Sequence, residues 1–173
     1  LGLFFSVAAM FIGAWATSRA YRTAVLAPAG GIVYLALPPA RDFFTSGLEW
    51  GLSIFYLAVL WWMLVKWSRG VDNAKECASD SMPYWLALWA GISWLVRPDL
   101  ALYGGLVGLL LLATHRGWKA WLGILASALP LPGAYQIFRM GYYGLLTPHT
   151  AVAKSASEAA WSHGFRYLGD FAL

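Results

Sequence analysis

The sequence predicts an all-α fold, a polytopic membrane helix bundle of about six hydrophobic helices, two of them short. Three observations carry this. First, 60% of the 173 residues are apolar and only 12% are charged, where soluble domains carry roughly 25% charge. Second, apolar runs recur along the whole length. Third, Arg, Lys, Trp and Tyr gather between those runs, as they do at membrane borders. The formal charge of +4 is spread over these connectors and forms no basic stripe, so no nucleic-acid partner is expected. Cys77 is the single cysteine, which excludes an internal disulfide, and no CxxC or His/Cys cluster points to a metal. The chain starts inside an apolar run and ends in mid-pattern, so it reads as part of a longer protein. The first run lacks both a basic stretch before it and a small-residue cleavage site after it, and is not read as a signal peptide. No internal repeat is visible.

In order, residues 1–17 form the first expected span, followed by Arg19 and Arg22. Residues 23–40 form the second. Pro28 and Gly30-Gly31 inside it would break a soluble helix, but neighbouring helices tolerate them in a bundle. Pro38-Pro39 ends it, and residues 41–49 make a short polar connector. The third span, residues 48–65, is closed by a belt of Trp61, Trp62, Lys66, Trp67 and Arg69. Residues 71–83 are the most polar and read as a solvated loop. Residues 84–96 give only about 20 Å of helix. Arg97-Pro98-Asp99 follows, then residues 100–113, equally short, and then His115, Arg116 and Lys119. Residues 120–138 form the last span, bent by Pro130, Pro132 and Gly133. The expected division is a transmembrane bundle over residues 1–139 and an extracytoplasmic loop with an amphipathic helix over 140–173, with N- and C-terminal parts of the full protein missing. Within the loop, residues 151–160 are strong helix formers and read as a surface helix.

Charge predicts sidedness. One alternate set of connectors holds Arg19, Arg22, Lys66, Arg69, Lys75, Arg116 and Lys119 against Asp72, Glu76 and Asp80. In the other set, Arg41, Arg97, Arg139, Lys154 and Arg166 are balanced by Asp42, Glu49, Asp99, Glu158 and Asp170. Basic residues favour the cytoplasm, so the balanced set should face outward. The count requires a hairpin at Arg97-Pro98-Asp99. A single kinked helix there would be about 46 Å long, too long for one ordinary span.

Candidate site residues lie in that outward set. The two short helices around Arg97 and Asp99 should place their turn below the outer surface, where charges must pair or face a wet cavity. The turn reads either as a self-satisfied Arg–Asp pair or as a cavity floor. In the connector, Thr45 or Ser46 could cap the third span, with Glu49 three or four residues on as in a capping box. Arg41 and Asp42 beside two phenylalanines suit a phosphate carrying a lipid tail. Residues 135–154 leave the apolar phase at Arg139 and pass through Gly141-Tyr142-Tyr143-Gly144 to Pro148 and Lys154. They read as an interfacial anchor or as one wall of a membrane-surface site. His149 and His163 read as interfacial polar residues. Arginines, tyrosines and a few carboxylates together suit an anionic amphiphile better than a free ion.

At these residues the chain resembles a known family. Pro39-Ala40-Arg41-Asp42-Phe43 with Thr45-Ser46-Gly47-Leu48-Glu49, then Leu95-Val96-Arg97-Pro98-Asp99-Leu100-Ala101-Leu102, residues 135–146, and Thr150-Ala151-Val152-Ala153-Lys154 look like the terminal β-arabinofuranosyltransferases of actinobacterial cell walls. The motifs stand in the same order with similar gaps over essentially the whole chain. His149 departs from the small or amide residue expected there, and Asp99 stands where the family often has Glu, which keeps the carboxylate. The resemblance implies a GT-C-type, inverting membrane glycosyltransferase on the outer face of the plasma membrane. Its donor would be decaprenyl-phosphoryl-arabinose, a lipid-linked substrate rather than a cofactor. Its acceptor would be the arabinan of arabinogalactan or lipoarabinomannan. It also implies that the general base, an aspartate of the first extracytoplasmic loop, precedes Leu1. No catalytic residue is then expected in this chain, which alone should be inactive. Arg41, Arg97 and Arg139 would include the phosphate-binding residues, Asp42, Glu49 and Asp99 would orient them or the sugar hydroxyls, and Tyr142, Tyr143 and Lys154 would complete the substrate-binding set.

Two other classes fit parts of the pattern. A transporter would carry its polar residues near the midplane in repeated halves, whereas here charge gathers toward one face. A non-catalytic lipid-binding protein would lack an acidic pair in the upstream loop.

Overall fold

The computed structural model describes residues 1–21, 36, 50–72, 81–144 and 161–172. The expected second span apart from residue 36, the connector 41–49 with Arg41, Asp42 and Glu49, the expected helix 151–160 and Lys154 all lie outside the described residues. Among the described residues the fold is all-α: α1 (Gly2–Tyr21), α2 (Trp50–Asp72), α3 (Met82–Val96), α4 (Ala101–Thr114), α5 (Trp118–Ala128), α6 (Pro130–Tyr143) and α7 (Trp161–Ala172), with no strand. A single 3-10 turn, Pro98–Leu100, separates α3 from α4. Two helices, Gly2–Ala20 and Trp50–Gly70, are long and apolar enough to cross a membrane, and the broken pair α5 and α6 is a third candidate.

The chain divides into two compact units, Leu1–Gly133 and Ala134–Leu173. In the first, contacts fix the helix directions. Phe5 meets Phe55 at 5.3 Å, and Trp15 stacks on Trp62 at 6.3 Å. Both helices therefore run the same way, as the predicted order of spans calls for. Helix α3 runs opposite to α2. Tyr56 stacks on Trp89, and the pair exchanges two hydrogen bonds, Tyr56 Oη donating to the Trp89 carbonyl at 3.0 Å and Trp89 Nε1 to the Tyr56 carbonyl at 3.2 Å. Each polar ring atom is thus satisfied inside the bundle, where an unmet one is costly. Helix α4 folds back on α3, so the hairpin expected at Arg97-Pro98-Asp99 is present.

Small residues set the spacing. A Cβ at Gly104 would collide with the Ser93 side chain and the Ala90 carbonyl, and one at Gly91 with the backbone of Ala128. Such close backbone approach is the usual way membrane helices gain contact, because lipid gives no hydrophobic drive between them. The core gathers Tyr56, Leu60, Leu86, Ala87, Leu111 and Ile124. Outside it, Phe4, Phe11, Trp85, Leu102 and Leu109 are exposed. That apolar exterior suits lipid contact and would be a liability in water.

Several boundaries differ from the sequence reading. Helix α1 continues past residue 17 to Tyr21, and α2 runs past residue 65 through Lys66 and Arg69 to Asp72. A helix does not stop where hydropathy does, because long basic side chains extend their charge outward while the backbone stays helical. The polar stretch 71–83 is correspondingly shorter at both ends. Val71 and Asp72 close α2, and Met82 and Pro83 open α3, where proline is accepted because first-turn N–H groups have no helical partner. The last expected span is broken at Leu129 into α5 and α6, close to the expected bend.

In the second unit, α6 carries on past residue 138 to Tyr143, and α7 presents Trp161, Phe165 and Tyr167 to the outside.

Candidate functional site

The bundle of the first unit has two ends, and the described site residues Arg97 and Asp99 lie at one of them. Helix α3 stops because Pro98 bars a helical conformation at the residue before it. Arg97 is extended, with φ −156° and ψ 140°, and its backbone N–H still donates to the Ser93 carbonyl. The 3-10 turn follows, tied by the Leu100 N–H to the Arg97 carbonyl at 3.1 Å, and the buried Leu100 side chain anchors it in the core. This short turn brings the two charges together. Arg97 Nη2 donates to Asp99 Oδ2 at 2.6 Å. The same guanidinium lies 5.3 Å over the Trp50 ring at the start of α2.

The self-paired alternative read from the sequence is therefore the arrangement found. It does not consume the arginine. The contact uses one nitrogen of a fork that carries several donors. Side-chain exposure is 27% for Arg97 and 67% for Asp99, so the pair is at the surface of the bundle end rather than sealed within it. An arginine held in orientation by a carboxylate and an indole face is suited to receive an oxyanion on its remaining donors. The sequence reading missed Trp50. Its signal was present but weak: an aromatic ring at the first turn of a span, next to Glu49, is common at interfaces.

The second group of site residues lies in the other unit. Arg139 is half-buried on α6. Phe138 stacks on Tyr142 at 5.7 Å, and Tyr142 meets Tyr143 edge to face at 4.8 Å. Both tyrosines are exposed. Residues 141–143 are helical rather than a turn, and only Gly144 leaves the helix. Its φ of +65° is the left-handed conformation that ends helices, and its N–H returns to the Met140 carbonyl at 3.0 Å. A Cβ at Gly141 or Gly144 would meet nothing within 4 Å of this chain. Gly144 thus has a backbone reason to be glycine that needs no ligand.

Among the described residues no group of His, Cys, Asp and Glu is placed to hold a metal ion.

Sequence comparison reaches across both groups. The chain is 53% identical over 184 aligned positions to the terminal β-(1→2)-arabinofuranosyltransferase of Corynebacterium glutamicum, an alignment covering 99% of this chain and 27% of that protein. It is 49% identical over 157 positions to the protein of the same name from Mycobacterium tuberculosis, covering 91% of this chain and 25% of that one. The chain is similar to a segment of an arabinofuranosyltransferase. The resemblance read from the motifs is upheld, and it extends over nearly every described residue. The chain spans about a quarter of the length of these curated relatives. No family model and no solved structure matches it.

Proposed function

We propose that the protein to which this segment belongs is an integral membrane glycosyltransferase that moves arabinofuranose from decaprenyl-phosphoryl-arabinose to a cell-wall arabinan. The single observation that supports this most is the 53% identity to a named arabinofuranosyltransferase over 99% of the chain. The bundle supplies the physical setting: apolar helices that suit lipid, with an oriented arginine at one end.

Atoms balance simply in such a transfer. An acceptor hydroxyl oxygen bonds to the anomeric carbon of the donor sugar. The bond from that carbon to the phosphate oxygen breaks, and polyprenyl phosphate leaves with one more negative charge than it had as a diester. The hydroxyl proton passes to a general base, which we place outside these residues. Fixed positive charge where the phosphate leaves lowers the barrier, because that charge grows in the transition state. We assign this role to Arg97, with Asp99 and Trp50 as positioning residues, and to Arg139, with Tyr142 and Tyr143 against the sugar or first isoprene. Arg41, Asp42, Glu49 and Lys154 complete the proposed substrate-binding set. No resident cofactor is called for.

The test uses the full-length protein in lipid vesicles with decaprenyl-phosphoryl-arabinose and an arabinan acceptor. Transfer of arabinose to the acceptor is the expected result. Donor binding without transfer, or movement of the donor across the bilayer without transfer, would overturn it in favour of a lipid-binding or transport protein. Sidedness follows from the basic-residue bias. A cysteine at Ser155 should react with a membrane-impermeant thiol reagent in intact cells and one at Ser79 should not, with Cys77 replaced first. The opposite labelling would put the Arg97 turn on the wrong side for an external acceptor.

A further inference from the structure

The other end of the same bundle carries a feature that the transfer does not use. Arg19 at the end of α1 and Lys66 and Arg69 near the end of α2 converge on a cleft of about 670 Å³, walled by Trp15 and Trp62. The two indole planes are nearly parallel, stacked at 6.3 Å with 19° between them. Arg19 lies 5.5 Å over Trp15, and Lys66 lies 5.4 Å over Trp62. Two cations are therefore held on aromatic faces beside one opening, with Arg69 as a third. No ion pair joins Arg19, Lys66 or Arg69 to a carboxylate among the described side chains. Three cations that repel one another are stabilised by an anion placed between them. The volume is in the range of sites that enclose small ligands.

We propose that this cleft binds a phosphate-bearing anion, the headgroup of an anionic phospholipid. Helices α1 and α2 both pass the test for crossing a membrane, and the cleft lies where they end, the level at which phosphates of a leaflet lie. Its fork-bearing arginines match a phosphodiester, and its indoles suit the boundary between headgroup and acyl chain. The site is at the opposite end of the bundle from Arg97, since Trp67 near the end of α2 stacks on His115, which follows α4. It is thus separate from the donor site proposed above.

The test is thermal unfolding of the purified full-length protein in neutral detergent, titrated with phosphatidylglycerol, phosphatidylcholine or inorganic phosphate at low ionic strength. Phosphatidylglycerol should raise the midpoint saturably where phosphatidylcholine does not. The triple variant Arg19→Gln, Lys66→Gln, Arg69→Gln should need at least tenfold more phosphatidylglycerol for the same shift. If that variant does not fold, Arg69→Gln alone should need several-fold more, while Lys66→Arg should respond like the parent. An equal response to inorganic phosphate at matched phosphorus would keep the anion site but assign it a soluble phosphate. Equal responses to phosphatidylglycerol and phosphatidylcholine, or an unchanged phosphatidylglycerol response in the Gln variants, would overturn the site. The charge would then be met by the chain itself, for which Glu76 and Asp80 are near in sequence.

Discussion

The two ends of the bundle handle positive charge in opposite ways. At the α3–α4 turn, Arg97 is paired with Asp99 and backed by Trp50. At the far end, Arg19, Lys66 and Arg69 share a cleft with the indoles of Trp15 and Trp62. A paired arginine is cheap to hold at depth and is fixed in direction, so it suits a step in which charge appears only briefly. Three cations gathered at one opening repel one another, and so suit an anion that stays bound. Position in the bundle thus separates a proposed transient contact from a proposed standing one.

Both ends depend on the packing of the helices between them, and its loss should have the largest effect. Gly91→Val would drive a side chain into the Ala128 backbone. We expect a loss of about 3 kcal/mol of stability, the upper part of the usual overpacking range, with donor turnover and phosphatidylglycerol response falling together. A thermal midpoint close to the parent's would mean that α3 and α5 do not pack as described. Next in size is Arg139→Ala. If Arg139 meets the donor phosphate, transfer by the full-length enzyme falls at least tenfold, about 1.4 kcal/mol, with the thermal midpoint held. An anchor would instead lose protein from the membrane and keep normal turnover per folded molecule. The smallest effect is expected from Gly144→Ala. Its φ of +65° is strained for an L side chain, so stability should fall by about 1 kcal/mol while turnover per folded molecule stays near the parent's. A large loss of turnover there would return Gly144 to the site as a point of close ligand approach.

Much of this was legible in the sequence because the signals are local. Two apolar runs too short to cross a bilayer, with Arg97-Pro98-Asp99 between them, predict a hairpin from length alone, and the hairpin is there. The motifs around Arg41, Arg97 and residues 135–154 likewise pointed to the arabinofuranosyltransferases that the chain matches. What was not legible depends on pairs far apart in sequence. Nothing near Trp50 announces that Arg97 will lie over its ring, and nothing near Tyr56 announces Trp89. The belt of Trp61, Trp62, Lys66, Trp67 and Arg69 was visible as an interface, but its cleft exists only because α1 runs parallel to α2 and adds Trp15 and Arg19. The roles of the glycines depend on such pairs as well. Gly144 ends a helix, while Gly91 and Gly104, inside apolar runs, are the ones that admit a neighbour.

The paired Arg97 is proposed to receive the donor phosphate. Transfer from decaprenyl-phosphoryl-arabinose by full-length Arg97→Lys, beside Asp99→Asn and the double variant, with thermal midpoints on the same preparations, tests this role. Lysine keeps the charge but loses the fork. The expected result is at least a tenfold fall in kcat/KM for Arg97→Lys at a near-parental midpoint, a smaller fall for Asp99→Asn, and no recovery in the double variant. Parental kcat/KM in Arg97→Lys, with a lowered midpoint that the double variant restores, would contradict it and leave the pair as a structural turn.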